Sequence, residues 1–292
     1  NIFFDINNGI INIQNNNIPS MLISDEVVDL SLPIDSLSTI SIGITNDGEE
    51  ASVLSYKTSV AENRELYIDF ENGLLPSNWS TTTNAECDNP GWFIAQDASS
   101  AYFPIPAGND YYIATNDDLC NGDGSNDMLF TGPIQLPNAY INLSFLRFFT
   151  GNYGQEFQVL ASLDNWENSI ELLSLDIYDG NVEEWLTEKI NLDSYANQTI
   201  DIAFRSNDNG NWASGVALDE ISLNAIPKWI SSNDSGYVHY LETELADISI
   251  NTNDLGYGLY ESKIVVLNNN SFDADTIDIS LTVEDISVSI GE

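Results

Sequence analysis

Strict alternation runs through Ile40-Ser41-Ile42-Gly43-Ile44-Thr45, where every second residue is isoleucine and the residues between are small or polar. Successive side chains of a β-strand point to opposite faces, so this pattern predicts a strand with one buried face. The same period recurs at Phe157, Val159, Ala161 and Leu163, at Ile200, Ile202 and Phe204, and at Ile277, Ile279, Leu281 and Val283. Turns rich in Asn, Asp and Gly separate these runs, and no run has the period of a long amphipathic helix. The sequence therefore predicts an all-β fold of antiparallel sandwiches.

The chain has 292 residues, of which 42% are hydrophobic and 11% aromatic. This is enough apolar material for folded cores, and the length suggests about two domains. Composition changes along the chain, because residues 67–223 contain both cysteines and five of the six Trp residues. We therefore predict a central aromatic-rich domain that is inserted between, or flanked by, plainer β segments.

The charge balance is extreme, with 46 acidic and 7 basic residues and a net charge of -39. This excess argues against nucleic acid or an anionic membrane as a partner, since both bind through Lys and Arg. It fits an extracellular setting in which salt or divalent cations screen self-repulsion. No apolar run reaches 18 residues, so no membrane insertion is expected. With neither an initiator Met nor a signal peptide, the chain is expected to be a piece of a longer, processed protein.

Acids, amides and glycines are concentrated in Asn116-Asp117-Asp118-Leu119-Cys120-Asn121-Gly122-Asp123-Gly124-Ser125-Asn126-Asp127. The like charges of such a stretch repel, and a multivalent cation is the simplest partner that would order it. Calcium takes six to eight oxygen ligands from carboxylates and carbonyls, and glycine lets the chain turn around it. The spacing does not match an EF-hand loop. The alternative is a solvated, disordered loop.

Two further groups of acids lie on predicted strands. Leu66, Ile68 and Phe70 alternate with Tyr67, Asp69 and Glu71, which places Asp69 and Glu71 on one strand face. Asp219 is expected to share an apolar face with Ala217, Ile221 and Leu223. A buried acid needs a partner, and seven basic residues cannot pair with 46 acids, so we expect a cation at Asp219. The alternative is an Asp in water at a frayed strand end.

The state of the two cysteines, Cys87 and Cys120, has two possible interpretations. An even pair in an extracellular-looking chain suggests one disulfide, which would tie the acidic stretch to the segment before Gly91-Trp92. Two buried free thiols are the alternative.

The sequence does not predict an enzyme. His239 is the single histidine, so a zinc site built from a His cluster is excluded and a hydrolytic triad would depend on this one residue. It lies in Tyr237-Val238-His239-Tyr240, which alternates like an ordinary strand.

The tryptophans of the central segment are Trp79, Trp92, Trp166, Trp185 and Trp212. The usual role of such residues is in a core. Trp212 follows the turn-rich Asn207-Asp208-Asn209-Gly210-Asn211 and is the best candidate for an exposed ring that stacks against a sugar.

Several motifs of the central segment resemble a known family when they are taken in order. They are Asp69-Phe70-Glu71-Asn72-Gly73, Leu75-Pro76-Ser77-Asn78-Trp79, Gly91-Trp92, Asn116-Asp117-Asp118-Leu119-Cys120-Asn121, Asn126-Asp127-Met128-Leu129, Asn191-Leu192-Asp193-Ser194-Tyr195-Ala196 and Ala217-Leu218-Asp219-Glu220-Ile221-Ser222-Leu223. The series is similar to the cleaved-adhesin or choice-of-anchor J domains, relatives of the MAM-type jelly roll that occur in secreted and surface proteins of Bacteroidetes and other marine bacteria. The resemblance implies a jelly-roll β-sandwich over residues 67–225.

The flanks, residues 1–66 and 226–292, resemble the two parts of an immunoglobulin-like β-sandwich that is common in bacterial surface proteins. Ser38-Thr39-Ile40-Ser41-Ile42-Gly43-Ile44-Thr45-Asn46-Asp47 resembles an early strand, and Lys228-Trp229-Ile230 and Gly256-Tyr257-Gly258-Leu259-Tyr260 resemble later ones. The implied architecture is a jelly roll inserted in, or flanked by, this second sandwich. Two separate partial sandwiches are the alternative.

The family is typically non-catalytic, and several members bind calcium through acids of the first strand, the acidic loop and the last strand. The resemblance implies a ligand set of Asp69, Glu71, Asp117, Asp118, Asp127 and Asp219. Where the family often has a second cysteine two residues after Cys120, this chain has Gly122, which favours Cys87 as the partner of Cys120.

Together these features predict a non-catalytic, calcium-stabilised adhesion or binding segment of a large secreted or cell-surface bacterial protein. Its expected partners are a glycan or cell-surface ligand and neighbouring domains of the same polypeptide. The alternatives are an accessory region of a secreted protease or glycanase, and a structural spacer of a surface fibre.

Overall fold

The computed structural model describes residues 3–7, 10–14, 17–85, 87, 91–120, 124–180, 184–270 and 274–285, with the backbone alone for residues 3–7 and 10–14. The chain forms two compact units. One consists of Asn1–Glu62 together with Ile226–Glu292, and the other of Asn63–Ala225. In the sequence, the second unit thus interrupts the first.

The strands of the N-terminal flank are β1 (Phe3–Asn7), β2 (Ile10–Gln14), β3 (Met21–Ile23), β4 (Val27–Leu32), β5 (Leu37–Asn46) and β6 (Val53–Val60). The second unit contains β7 (Asn63–Ile68), β8 (Ser80–Thr82), β9 (Phe93–Ala95), β10 (Tyr112–Asn116), α1 (Asp117–Cys120), β11 (Asn126–Gln135), β12 (Ala139–Phe149), β13 (Glu156–Ser162), β14 (Ile170–Leu175), β15 (Leu186–Asn191), β16 (Thr199–Asn207) and β17 (Gly215–Pro227). Short 3₁₀ helices lie at Asn152–Gly154 and Asp193–Tyr195. The C-terminal flank contains β18 (Ile230–Ser231), β19 (Ser235–His239), β20 (Thr243–Asn251), β21 (Gly258–Asn268) and β22 (Asp275–Val283).

The two flanks build one sandwich. β5 pairs with β20 from Thr45↔Thr243 to Leu37↔Asn251, so strands far apart in sequence share one ladder. The sheets of this unit have the orders β18-β20-β5-β3 and β19-β6-β21-β22-β4, and β4 runs parallel to β22. The alternating residues Ile42 and Ile44 of one flank and Ile248 and Ile279 of the other are buried in the same core. Neither flank could bury its apolar face without the other.

The second unit is also a sandwich. One sheet has the order β15-β12-β17-β10-β9 with β7 on β17, and the other has the order β14-β13-β16-β11-β8. Phe145 of β12 packs edge-on against Phe157 of β13 and Phe204 of β16, with ring centroids 6.1 and 5.3 Å apart. Aromatic pairs of this geometry stabilise the contact between the two sheets by more than the burial of their surface alone. The predicted all-β sandwich fold is confirmed.

A second apolar layer covers the outer face of the sheet that contains β17. Phe103, in the segment before β10, is fully buried against Phe148 of β12, with ring centroids 5.2 Å apart. Trp185 packs against Phe148 and donates a hydrogen bond from Nε1 to the carbonyl oxygen of Pro106 at 3.1 Å. This layer fixes the segment that precedes β10 on the sheet.

In the part of the chain that the structure describes, no helix combines the length and apolar character that a membrane crossing requires.

Cys87 and Cys120 form a disulfide that closes a loop of 33 residues. The bond joins the short helix α1 to the segment that follows β8. It reduces the conformational freedom of the unfolded chain, and a loop of this length corresponds to about 3–4 kcal/mol of stabilisation in the chain-entropy model.

We expect the double substitution Cys87→Ser and Cys120→Ser to lower the free energy of unfolding of the second unit by about 3 kcal/mol. Urea unfolding followed by tryptophan fluorescence checks this, because five of the six Trp residues lie in that unit. A reducing agent should destabilise the wild type and leave the double variant unchanged. Equal stability of the two proteins would contradict the prediction.

Candidate functional site

The longest strand of the second unit, β17, has two partners on one edge. β10 pairs with its first part, from Asn116↔Gly215 to Ile113↔Leu218. β7 pairs with its second part, beginning at Ile68↔Ile221. Asp219 and Glu220 therefore lie where one neighbouring strand stops and the other begins.

β17 changes phase at this point. Val216 and Leu218 are in the core of the sandwich, and so are Ile221 and Leu223, so one extra residue separates the two pairs. Glu220 has a φ of 47°, in the left-handed region, and is exposed. These are the features of a β-bulge, which redirects side chains and is common beside functional sites.

The bulge changes which residues can share a strand face with Asp219. Ala217 packs in the outer layer with Phe103, on the face opposite Leu218, whereas Ile221 and Leu223 pack in the sandwich core. The prediction that Asp219 shares one face with Ala217, Ile221 and Leu223 is therefore wrong. A strict period of two fails across a bulge because the added residue reverses the alternation.

Asp69 and Glu71 also differ from their expected placement. β7 ends at Ile68, and Phe70 is buried with a φ of 56°, so the chain leaves the strand before Asp69. Asp69 Oδ1 accepts a hydrogen bond from the backbone N–H of Glu71 at 3.2 Å, and Glu71 Oε1 accepts one from the N–H of Tyr111 at 3.3 Å. The two acids lie in a turn after the strand rather than on one of its faces.

Asp219 is 3% exposed, and its environment disfavours its charge. Burial is the main cause that raises its pKa from 3.8 to about 7, and the negative charges of Glu220, Glu71 and Asp69 raise the pKa further. A hydrogen bond of 2.7 Å from the N–H of Glu220 to Oδ1 acts in the opposite direction. In the described part of the chain, the charged side chains that act on Asp219 are all acidic.

The other predicted ligands have separate partners. Asp117 is buried and accepts a hydrogen bond at Oδ2 from the N–H of Ala213 at 2.7 Å, while Asp118 is half-buried on α1. Asp127 is buried, and burial is the main cause that raises its pKa to about 6. The hydrogen bond from the Thr83 hydroxyl lowers the pKa, and the negative charge of Asp208 raises it. Residues 121–123 of the acidic stretch lie outside the described residues.

Asp208 is a site residue that the sequence analysis missed. Its Oδ2 accepts hydrogen bonds from the N–H groups of Gly124 and Ser125 at 2.6 and 2.7 Å, and Oδ1 accepts one from Gly210 at 2.8 Å. A carboxylate from another loop therefore orders the end of the acidic stretch. The Asn-Asp-Asn-Gly pattern around Asp208 is a turn signal that could have identified it.

Within the residues that the structure describes, no three Asp, Glu, His or Cys side chains are grouped closely enough to hold a metal ion. The charges of Asp69 and Glu71 act on Asp219, whereas the charged neighbour of Asp127 is Asp208. The calcium ligand set therefore remains a prediction.

Trp212 belongs to a cluster of three aromatic rings at the surface. Its ring centroid lies 4.8 Å from that of Tyr102 and 5.4 Å from that of Tyr153, and the two tyrosine centroids are 5.8 Å apart. Tyr102 is 45% exposed and Tyr153 is 50% exposed. By contrast, Trp79 and Trp92 are buried in the sandwich core. The sequence singled out Trp212 from its turn-rich loop, but its side chain is half-buried rather than exposed as expected. The two tyrosines come from distant segments without a comparable signal in the sequence.

The segment that carries Tyr102 also lines a cleft of about 410 Å³. Asp97, Asn109, Asp110 and Tyr112 contribute to its walls. The side-chain amide nitrogen of Asn109 is buried there without a hydrogen-bond partner among the described residues.

In calcium-depleted buffer, we expect Asp219→Asn to be more stable than the wild type at pH 8, by at most roughly 4 kcal/mol. The folded state holds the Asp219 proton up to a pKa of about 7, whereas the unfolded chain releases it near pH 4. The contribution of Asp219 to stability is therefore present below pH 4 and is lost as the pH rises towards 7. Urea unfolding of both proteins at several pH values checks this, and a stability difference that does not grow with pH would contradict it.

The sequence matches no protein-family model and no curated protein. Among solved structures, two cleaved adhesin domains of Lys-gingipain from Porphyromonas gingivalis each align with 56% of this chain and with 99% and 98% of their own length, at 20% and 21% identity and a TM-score of 0.42. A xylan-binding domain from Paenibacillus barcinonensis aligns with 57% of this chain and 97% of its own length, at 13% identity and a TM-score of 0.34. Similarities at this level establish neither the family nor the function of this chain.

Proposed function

We propose that the chain is a non-catalytic, calcium-stabilised adhesion or binding segment of a larger secreted or cell-surface bacterial protein. The observation that carries this proposal is the buried carboxylate of Asp219 at the bulge of β17, with Asp69, Glu71 and Glu220 as its charged neighbours. A fold gains no stability from a buried charge among like charges, so the arrangement suggests a bound cation.

The donor chemistry of this group fits calcium. Asp69, Glu71 and Asp219 offer carboxylate oxygens, which are hard ligands that calcium prefers. One oxygen of each accepts a backbone hydrogen bond, which leaves the second oxygen for a cation. The bound ion would neutralise the repulsion among these acids and would connect β17 to the turn after β7. The three side chains would have to converge to bind it.

The acids of the acidic stretch remain proposed ligands with a weaker case. Asp117 and Asp127 already accept hydrogen bonds from Ala213 and Thr83, so part of their acceptor capacity is already used. Asp118, which is half-buried whereas Asp117 and Asp127 are buried, would be the more accessible ligand.

Other features support an extracellular, non-catalytic role. A structural disulfide is typical of oxidising compartments. His239, on which a hydrolytic triad would depend, is exposed at the end of β19 in the unit that does not contain the acidic site. We propose a glycan or another cell-surface molecule as the ligand and adjoining domains of the same polypeptide as further partners.

We expect calcium to raise the melting temperature of the protein relative to a chelator at fixed ionic strength. A ligand that binds the native state alone adds about 2.7 kcal/mol at a hundredfold excess over its dissociation constant. Differential scanning calorimetry measures the shift, and magnesium at the same concentration controls for screening. Equal melting in calcium and in chelator would contradict the calcium proposal.

Substitution of Asp219 by Ala should weaken calcium binding more than substitution of Glu184 by Ala. Asp201→Ala is a matched control, because Asp201 is a half-buried acid of β16 whose pKa is raised by burial outside this group. Isothermal titration with calcium measures the three affinities. Equal losses in the Asp219 and Asp201 variants would place the site elsewhere.

A further inference from the structure

Tyr102, Tyr153 and Trp212 form an aromatic surface cluster whose members come from three separate segments. Two rings are about half exposed, and all three contact one another edge-on or tilted, with interplanar angles of 82°, 71° and 41°. Large aromatic side chains stabilise a fold most when they are buried. Their joint exposure therefore calls for a reason other than folding.

Buried neighbours and hydrogen bonds fix the segments that carry the cluster. Phe103, next to Tyr102, and Ala213, next to Trp212, are both fully buried. The hydroxyl of Thr150 donates a hydrogen bond to Ser214 Oγ at 2.6 Å, which ties the start of the Tyr153 turn to the Trp212 segment. The side-chain amide of Asn209 donates a second hydrogen bond between these segments, to the carbonyl oxygen of Gly154 at 3.2 Å. The rings are thus positioned before any ligand arrives, which lowers the entropy cost of binding.

Tyr153 has an unfavourable backbone conformation. Its φ is 61°, a value that is costly for a bulky side chain. The turn begins at Gly151, where a Cβ atom would lie 2.8 Å from the carbonyl oxygen of Asp176, so this position requires glycine. Strain of this kind persists where the surrounding structure imposes it and is frequent at binding sites.

The geometry of the cluster limits the class of ligand. An aromatic cage for an organic cation needs space between its rings, because the cation lies over their faces within about 6 Å of the centroids. Here the rings fill that space by contacting one another. The cluster therefore presents ring surface outward, which suits a ligand with an apolar face of its own.

The surrounding residues indicate a neutral, hydroxyl-rich ligand. Residues 97–110, 150–155 and 207–214 contain no Lys or Arg, so they offer no cation for an acidic group. They are rich in Asn, Ser and Gly, whose amides and hydroxyls can both donate and accept hydrogen bonds. Trp212 Nε1 is enclosed without an acceptor among the described residues, so one donor of the cluster has no hydrogen bond in this structure.

We propose that Tyr102, Tyr153 and Trp212 form the binding site for a neutral sugar unit of a polysaccharide. The C–H face of a pyranose ring packs on the aromatic surface, and its hydroxyl groups bond to the amide-rich rim. This proposal rests on the proposed binding function and gives it a site and a ligand class.

Affinity electrophoresis tests the site. Native gels contain lichenan, laminarin, glucomannan or arabinoxylan as neutral polysaccharides, or alginate as an anionic one, and all runs include calcium. We expect at least one neutral polysaccharide to slow the wild type and alginate not to. Trp212→Ala and Tyr153→Ala should each weaken the interaction about tenfold or more.

Matched variants separate binding from folding. Tyr178→Ala removes a tyrosine of the same unit that is 87% exposed and lies outside the cluster, and it should bind like the wild type. Trp212→Phe keeps an aromatic ring but presents a smaller ring surface, so it should fold normally and bind more weakly than the wild type.

Several results would overturn the sugar site. One is that none of the four neutral polysaccharides slows the wild type, and another is that only alginate does. A third is that Trp212→Phe and Tyr102→Ala are both slowed as much as the wild type. Loss of binding in Asn109→Ala with full binding in Trp212→Ala would place the ligand in the cleft instead. Calcium-dependent melting is measured on the same samples, so a protein that shows the calcium shift without retardation overturns this inference and leaves the calcium proposal standing.

Discussion

The bulge at Asp219 and Glu220 is the constraint on which the second unit depends. β17 runs through the middle of its sheet, and its first part pairs with β10 whereas its second part pairs with β7. A one-residue change of register moves every following side chain to the other face of a strand. Without the extra residue, Ile221 and Leu223 would leave the core. The bulge keeps both halves of β17 buried, and it does so by placing an acid at the junction.

That acid is inconsistent with the rest of the core. Most buried groups of this unit are apolar, whereas Asp219 is a carboxylic acid with acids for charged neighbours and a pKa raised to about 7, despite its hydrogen bond from Glu220. Proteins violate local rules of stability mainly where function requires it. A bulge, a buried carboxylate and two acids on the adjoining turn occur together where two strands end. This coincidence, rather than the number of acids in the chain, is what favours a cation at this position.

The sequence predicted the strands well because a period of two follows directly from the pleat. Ile42, Ile44, Ile277 and Ile279 are all buried in one core, as their alternation indicates. It could not predict the phase change in β17, since a bulge adds one residue without changing the composition. Nor could it predict that Phe70 turns out of β7, because a positive φ at a bulky residue is imposed by tertiary packing. The aromatic cluster was found in part, through Trp212, because contacts between distant segments leave no local pattern.

The acidic stretch shows that carboxylates of this chain can find hydrogen-bond partners within the protein. A carboxylate among few basic residues can still find donors in backbone N–H groups, as Asp208 does with Gly124 and Ser125 and Asp117 does with Ala213. Hydrogen bonds to a charged acceptor are stronger than neutral ones, so these contacts order loops effectively. The bond from Ala213 to Asp117 also fixes the residue next to Trp212. Some acids of this chain therefore act as internal acceptors that position the aromatic cluster. The case for a cation is strongest at Asp219, where burial and three neighbouring acids together raise the pKa to about 7.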